Sequence, residues 1–173
     1  SPQRLELSAL PGLRVLVVDD NATNRQILHE MLSNWGMHPT VVEGGAEALL
    51  ALRRAAASAM PFQLVLLDAM MPNMDGFALA DEIRQSKDLI GSTIMMLSSL
   101  GLRGDGQRCK ELGISAYLTK PMKQSELLDV ILTVLGPRDS GESTGLVTQH
   151  VRRERDARHH ILVAEDNPVN QRL

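Results

Sequence analysis

A chain of 173 residues has room for one domain with its own core, with residues to spare. At 43% hydrophobic and 23% charged the composition is ordinary for a globular protein, but the aromatics are limited to Trp35, Phe62, Phe77 and Tyr117. That excludes the base-stacking platforms of single-strand nucleic-acid binders, and a net charge of −3 gives no reason to expect nucleic acid. The core must therefore be aliphatic. One cysteine, Cys109, cannot form an internal disulfide, which suits a reducing cytoplasm. No apolar run approaches the roughly 18 residues of a membrane span, so no direct membrane contact is expected. Ser1 to Leu10 holds no apolar signal core. Residues 1–12 read as an N-terminal linker.

The first element is Arg14-Val-Leu-Val-Val18. It is too short for a buried helix and rich in β-branched residues, so it reads as a buried strand, and it ends in Asp19-Asp20. Asn21 is placed to cap a helix from Ala22 to Trp35. Ile27, Leu28, Met31, Leu32 and Trp35 recur at helical spacing and mark its expected buried stripe. Gly36 stops it. Thr40 to Val42 is a second strand, and Ala46 to Ala57 a second helix with Ala48, Leu49 and Leu52 facing inward. Leu64 to Leu67 is a third strand ending in an acid, Asp68. A third helix runs from Gly76 to Gln85. Thr93 to Leu97 is strand four, ending in Ser98-Ser99. Three glycines in Ser99 to Gly106 weaken the next helix, expected short, over Gln107 to Leu112. Tyr117-Leu118 marks a fifth strand ending in Thr119-Lys120-Pro121. The fifth helix, Gln124 to Leu135, carries Leu127, Leu128, Ile131 and Leu135 on one face.

Strands alternating with helices imply an α/β fold, a doubly wound parallel sheet of five strands covered on both faces. The strands' polar ends then share one edge. Asp19, Asp20, Asp68, Ser98 and Lys120 are expected to converge there, where such sheets bind ligands. Clustered carboxylates with no Cys or His among them favour a hard divalent ion, Mg²⁺ or Mn²⁺. With Lys120 as a point charge and Ser98 as a donor, that set can hold the oxygens of a transferring phosphoryl group. Asp68, at the centre, is the best nucleophile.

These residues resemble a known family. Asp19-Asp20, then Asp68-Ala-Met-Met-Pro-Asn-Met-Asp-Gly76, then Ser98, then Tyr117-Leu-Thr-Lys-Pro121 are similar to the receiver domain of two-component response regulators, over residues 13–135. The resemblance implies a flavodoxin-like sheet and a role for each residue. Asp68 would be the phosphoacceptor, charged by a phosphohistidine on a histidine kinase or histidine phosphotransfer domain. Asp19 and Asp20 would hold Mg²⁺ together with Asp68 and the backbone carbonyl of Met70, with Asp20 the more direct ligand. Lys120 would pair with the phosphate, and its bond to Pro121 would be cis. Ser98 and Tyr117 would form the switch pair. Such a module catalyses its own phosphorylation and is cytoplasmic, even where its parent kinase is anchored in a membrane. Met70 and Leu100 offer no polar group to position water, which implies a long-lived acyl phosphate. Asp75 reads as loop geometry with Gly76, and His29-Glu30, a pair of the histidine-kinase kind, as surface of the first helix.

Residues 136–159, rich in Gly, Ser, Thr and charge, read as a polar linker. The stretch Ile161-Leu-Val-Ala-Glu-Asp-Asn-Pro-Val-Asn170 then repeats Val15-Leu-Val-Val-Asp-Asp-Asn-Ala-Thr-Asn24, acids on acids and both Asn residues recurring. Residues 160–173 thus read as the truncated start of a second receiver. Tandem receivers imply a hybrid sensor histidine kinase, whose kinase core is not in these residues. The alternative is an interaction module that is never phosphorylated, but such a module has no need of the complete set of three acids, lysine and serine. Oligomeric state is not readable from the sequence.

Overall fold

The computed structural model describes residues 5–137 and 145–148. Elements alternate along the chain as β1 (Arg14–Val18), α1 (Ala22–Asn34), β2 (His38–Val42), α2 (Gly45–Ala57), β3 (Leu64–Asp68), α3 (Gly76–Gln85), β4 (Thr93–Ser98), α4 (Asp105–Glu111), β5 (Ala116–Thr119), α5 (Gln124–Val134) and β6 (Val147–Thr148). The strands form one parallel sheet in the order β2-β1-β3-β4-β5-β6.

The sheet is covered on both faces. Leu16, Val18, Val65, Leu67, Ile94 and Met96 face one apolar layer, with Leu49 and Leu52 of α2, Leu79 and Ile83 of α3 and Cys109 of α4. Their strand neighbours Val15, Val17, Leu64, Leu66, Met95 and Leu97 face the other, with Leu28 and Leu32 of α1 and Leu127 and Ile131 of α5. This two-sided burial explains why β1, β3 and β4 read as continuous apolar runs rather than alternating ones. The core is aliphatic, as the composition requires. No helix among the described residues is long and apolar enough to cross a membrane.

Several boundaries differ from the sequence reading, each for a physical reason. β2 starts at His38 and includes Pro39; it is an edge strand, where proline's missing donor costs no ladder bond. α4 starts two residues before the expected Gln107, because Gly104 takes a left-handed conformation (φ 93°) that turns the chain into the helix. Ile27, expected in the buried stripe of α1, is 44% exposed; the stripe is narrower than the apolar spacing suggested, with only Leu28 and Leu32 of α1 fully buried.

Two segments read as linker are partly folded. In the N-terminal one, Leu10 is buried in the core and the Leu5 amide donates to the Leu132 carbonyl at 3.0 Å. In the other, Val147–Thr148 add the sixth strand alongside β5, with Ala116 opposite Val147 and Tyr117 opposite Thr148. Neither segment carries a periodicity, so only tertiary packing selects its conformation. The repeat at 160–173 lies outside the described residues.

Candidate functional site

Parallel strands end their carboxyl termini on one edge, and the register decides which residues meet there. Val18 is opposite Leu67, and Asp68 opposite Leu97, so Asp19 follows β1, Asp68 closes β3 and Ser98 closes β4 side by side. The Lys120 amide donates to the Ser98 carbonyl at 2.7 Å and brings the residue after β5 to the same edge. The Lys120–Pro121 peptide bond is cis.

The side chains converge as the strand ends do. Oxygens of Asp19, Asp20 and Asp68 all lie within 4.8 Å of one another. The Lys120 Nζ stands 2.8 Å from Asp19 Oδ2 and 3.3 Å from Asp68 Oδ1, bridging two acids that are more than ninety per cent buried. Asp20 is exposed at the rim. Burial raises the Asp68 carboxyl above the usual carboxylate range; the Lys120 ammonium works against this, and the Asp19 charge adds to it. One ammonium does not balance three carboxylates. The remaining negative charge, an all-oxygen donor set and the absence of Cys or His fit a hard divalent cation of the Mg²⁺ type. Met70, named for its carbonyl, follows closely: its amide donates to Asp68 Oδ1 at 3.4 Å, and its side chain is 53% exposed.

Local structure fixes these acids. Asn21 caps α1, accepting from the Thr23 and Asn24 amides at 2.9 and 3.1 Å, while its own amide donates to Asp19 Oδ1 at 2.8 Å. Asp75 caps α3, accepting from the Ala78 amide at 2.8 Å, and so belongs to the loop rather than the acid cluster. Gly76 packs so closely that a Cβ there would collide with the Asp68 carbonyl oxygen and the Met96 sulfur. His29 lies on the exposed surface of α1.

Sequence reasoning missed three supports. Asn24 Nδ2 donates to Asp19 Oδ2 at 3.2 Å, and Arg25 Nη1 to the Asp19 carbonyl at 2.8 Å. The signal for Asn24 was present, since it is one of the two asparagines that recur in the repeat. Asp105 is the third: Tyr117 Oη donates to its Oδ2 at 2.6 Å.

The β4–β5 side of the site is made of hydroxyls and loop backbone. Ser98, fully buried, donates to the Leu100 carbonyl at 2.6 Å and accepts from the Leu100 amide at 3.2 Å. Tyr117 Oη lies 3.1 Å from that same carbonyl, with its ring buried. Desolvation, then the bond to Asp105, pushes the Tyr117 phenol up to about 12. Leu100 and Leu102, in the loop above, are more than half exposed.

Comparison with known proteins agrees with this geometry. Residues 15–132 match the model of the response regulator receiver domain. The chain is 36% identical over 138 residues to "Probable transcriptional regulator ycf27" of Pyropia yezoensis, covering 74% of this chain and 54% of that protein. It is 33% identical over 132 residues to hybrid signal transduction histidine kinase L of Dictyostelium discoideum, covering 75% of this chain and 8% of the kinase. The aligned region thus spans about half of one relative and a small part of the other. Among solved structures it resembles the receiver domain of a sensor histidine kinase from Pseudomonas aeruginosa, which holds a magnesium ion in its active-site cleft. That likeness has a TM-score of 0.63 at 29% identity and covers 72% of this chain and 98% of that one. On the family match, the sheet order and the acid cluster together, the chain belongs to the response regulator receiver domain family of two-component systems.

Proposed function

We propose that this chain accepts a phosphoryl group on Asp68 from a phosphohistidine, within a phosphorelay. The observation that carries the reading is the Lys120 ammonium held between two buried acids, 2.8 Å from Asp19 and 3.3 Å from Asp68. In the transfer, the P–N bond of the donor breaks and a bond forms between phosphorus and a carboxylate oxygen of Asp68, and the imidazole leaves with the electron pair and takes up a proton. Asp68 Oδ1 already engages Lys120 and the Met70 amide, which leaves Oδ2 to attack. Lys120 then neutralises charge on the phosphoryl oxygens, and Ser98 supplies a hydroxyl donor to one of them.

Asp19, Asp20, Asp68 and the Met70 carbonyl would hold Mg²⁺, which when bound offsets the charge of the acids and of the incoming phosphoryl group. Asp19 is oriented by Asn21, Asn24 and Lys120, so this acid is in place before any cation arrives. Met70 and Leu100 line the approach with apolar groups rather than water-orienting ones. That supports slow hydrolysis and a role in relay. The partner is a histidine kinase or a histidine phosphotransfer domain. The repeated apolar-and-acid sequence motif at Ile161–Asn170 supports a hybrid kinase with tandem receivers over a single-receiver regulator.

Incubation with acetyl phosphate and Mg²⁺, followed by intact mass, tests the reading. A single phosphoryl increment that vanishes in Asp68→Ala is expected. No increment would leave an interaction module, and rapid turnover of the donor without an adduct would indicate a hydrolase.

A further inference from the structure

The short strand β6 lies where the sequence reads as linker, and its position is not arbitrary. The Val147 amide donates to the Ser115 carbonyl at 3.0 Å, at the start of β5. Thr148 is the register partner of Tyr117. The side chain of the preceding residue, Leu146, is buried in the same apolar layer as Cys109, Ile114 and Tyr117. A Cβ on Gly106, in the first turn of α4, would stand 3.9 Å from Leu146 Cδ2. The segment Leu146–Thr148 is therefore seated along the strand that carries Tyr117, with Leu146 against the first turn of α4 and Val147 against the apolar layer on the other face of the sheet.

That first turn is tied back to the site by a chain of hydrogen bonds. Asp105, its first residue, accepts from Tyr117 Oη at 2.6 Å and from the Leu102 amide at 3.2 Å. In the same loop, the Leu100 carbonyl accepts from Ser98 Oγ at 2.6 Å, with Tyr117 Oη 3.1 Å away. Ser98 follows Leu97, the register partner of Asp68. A phosphoryl group on Asp68 offers the Ser98 hydroxyl a charged acceptor in place of a neutral carbonyl, and charged acceptors bind about twice as strongly. Once Ser98 turns, the Leu100 carbonyl loses its 2.6 Å donor, and the loop that sets Asp105 and the start of α4 is released from β4. Cys109, fully buried, and Arg108, over the Phe77 ring, anchor the later part of α4, so the shift falls on its start. The helix has seven residues, follows Gly104 in a left-handed conformation and has no side-chain N-cap bond.

We propose that Leu146–Thr148 is a strap that reads the phosphorylation state of Asp68: it docks on β5 and α4 in the unmodified protein and lets go when the loop shifts. The linker would thereby pass the state of the receiver to whatever the chain carries beyond it. This rests on Asp68 being the phosphoacceptor, and the experiment separates the two ideas.

Amide exchange at Val147 is measured on the full chain with and without Mg²⁺ and beryllofluoride, a phosphoryl mimic whose binding is followed independently by ¹⁹F NMR. The expected result is exchange faster by about 10-fold or more on loading, within the usual range of coupling between sites. Because coupling is reciprocal, a freed strap must tighten the mimic by a similar factor. Val147→Pro removes the donor to Ser115 without touching the site, and Leu146→Gly removes the buried side chain but keeps the amide. Both variants should bind beryllofluoride more tightly than the wild type. Unchanged or slower Val147 exchange in a loaded protein, or wild-type affinity in both variants, overturns the strap and leaves the phosphoacceptor reading intact. Failure of the wild type to bind beryllofluoride, or equal binding by Asp68→Asn, overturns the phosphoacceptor reading itself.

Discussion

The two halves of the sheet's carboxyl edge are built differently. On the β1–β3 side, Asp19 and Asp68 are buried and cross-linked by Lys120, and Gly76 closes against the backbone of Asp68 with no room for a methyl group. On the β4–β5 side, the same edge carries two hydroxyls beside one carbonyl, a loop with two exposed leucines, and a seven-residue helix. The contrast separates two demands. Phosphoryl transfer needs charges fixed before the reaction, because reorganisation during it raises the barrier. Signalling needs a second arrangement close in free energy, and a region with few buried contacts and shared hydrogen bonds supplies one.

The largest expected effect lies on the rigid side. Lys120→Ala removes the ammonium that bridges Asp19 and Asp68 and should slow phosphorylation of Asp68 by about 10²–10³-fold, as for loss of a single oxyanion donor. A stopped-flow or mass-based rate near wild type would break the comparison. Next is the metal. A cation that relieves repulsion among Asp19, Asp20 and Asp68 stabilises the fold by linkage, about 2.7 kcal/mol at 100-fold above Kd. Thermal unfolding with and without Mg²⁺ should show that gain in the wild type and little of it in Asp20→Ala. Gly76→Ala follows, with an expected loss of about 1–3 kcal/mol from overpacking against Asp68 and Met96; chemical denaturation reads it, and a neutral result would mean that this side is less rigid than its packing implies.

The smallest effect sharpens the soft side. Tyr117 is the chain's one tyrosine, so absorbance titration reports it alone. Its phenol should ionise near 12 rather than 10. Because the folded value is raised, the stability it brings is fully present below pH 10 and is lost as pH rises through about 12. Burial is the larger cause and the Asp105 bond the second, so Asp105→Asn should lower the midpoint only part of the way. A full return to 10 would mean that the ring is not held inward by its packing.

Most of the rigid side was legible in the sequence, and much of the soft side was not. Apolar runs that end abruptly in Asp19-Asp20 and Asp68 announce both a buried strand and a charged edge, because parallel topology leaves those residues nowhere else to go. The Asn21 cap is equally local. By contrast, the partnership of Tyr117 with Asp105 crosses a glycine-rich loop whose path no propensity sets. Strand β6 is two residues long and exists because β5 offers an unpaired edge. Leu10 is buried because the fold around it has a space for it, not because its neighbours form a pattern. What the sequence encodes locally is the chemistry, and what it leaves to tertiary context is the response.

Transfer of a phosphoryl group from nitrogen to Asp68 is tested by incubation with phosphoramidate, a small P–N donor, and Mg²⁺, followed by borohydride trapping and peptide mapping of the acyl phosphate. Reductive conversion is expected at Asp68 alone, lost without Mg²⁺ and absent in Asp68→Asn. Trapping at another carboxylate, or an adduct that persists in Asp68→Asn, would contradict it.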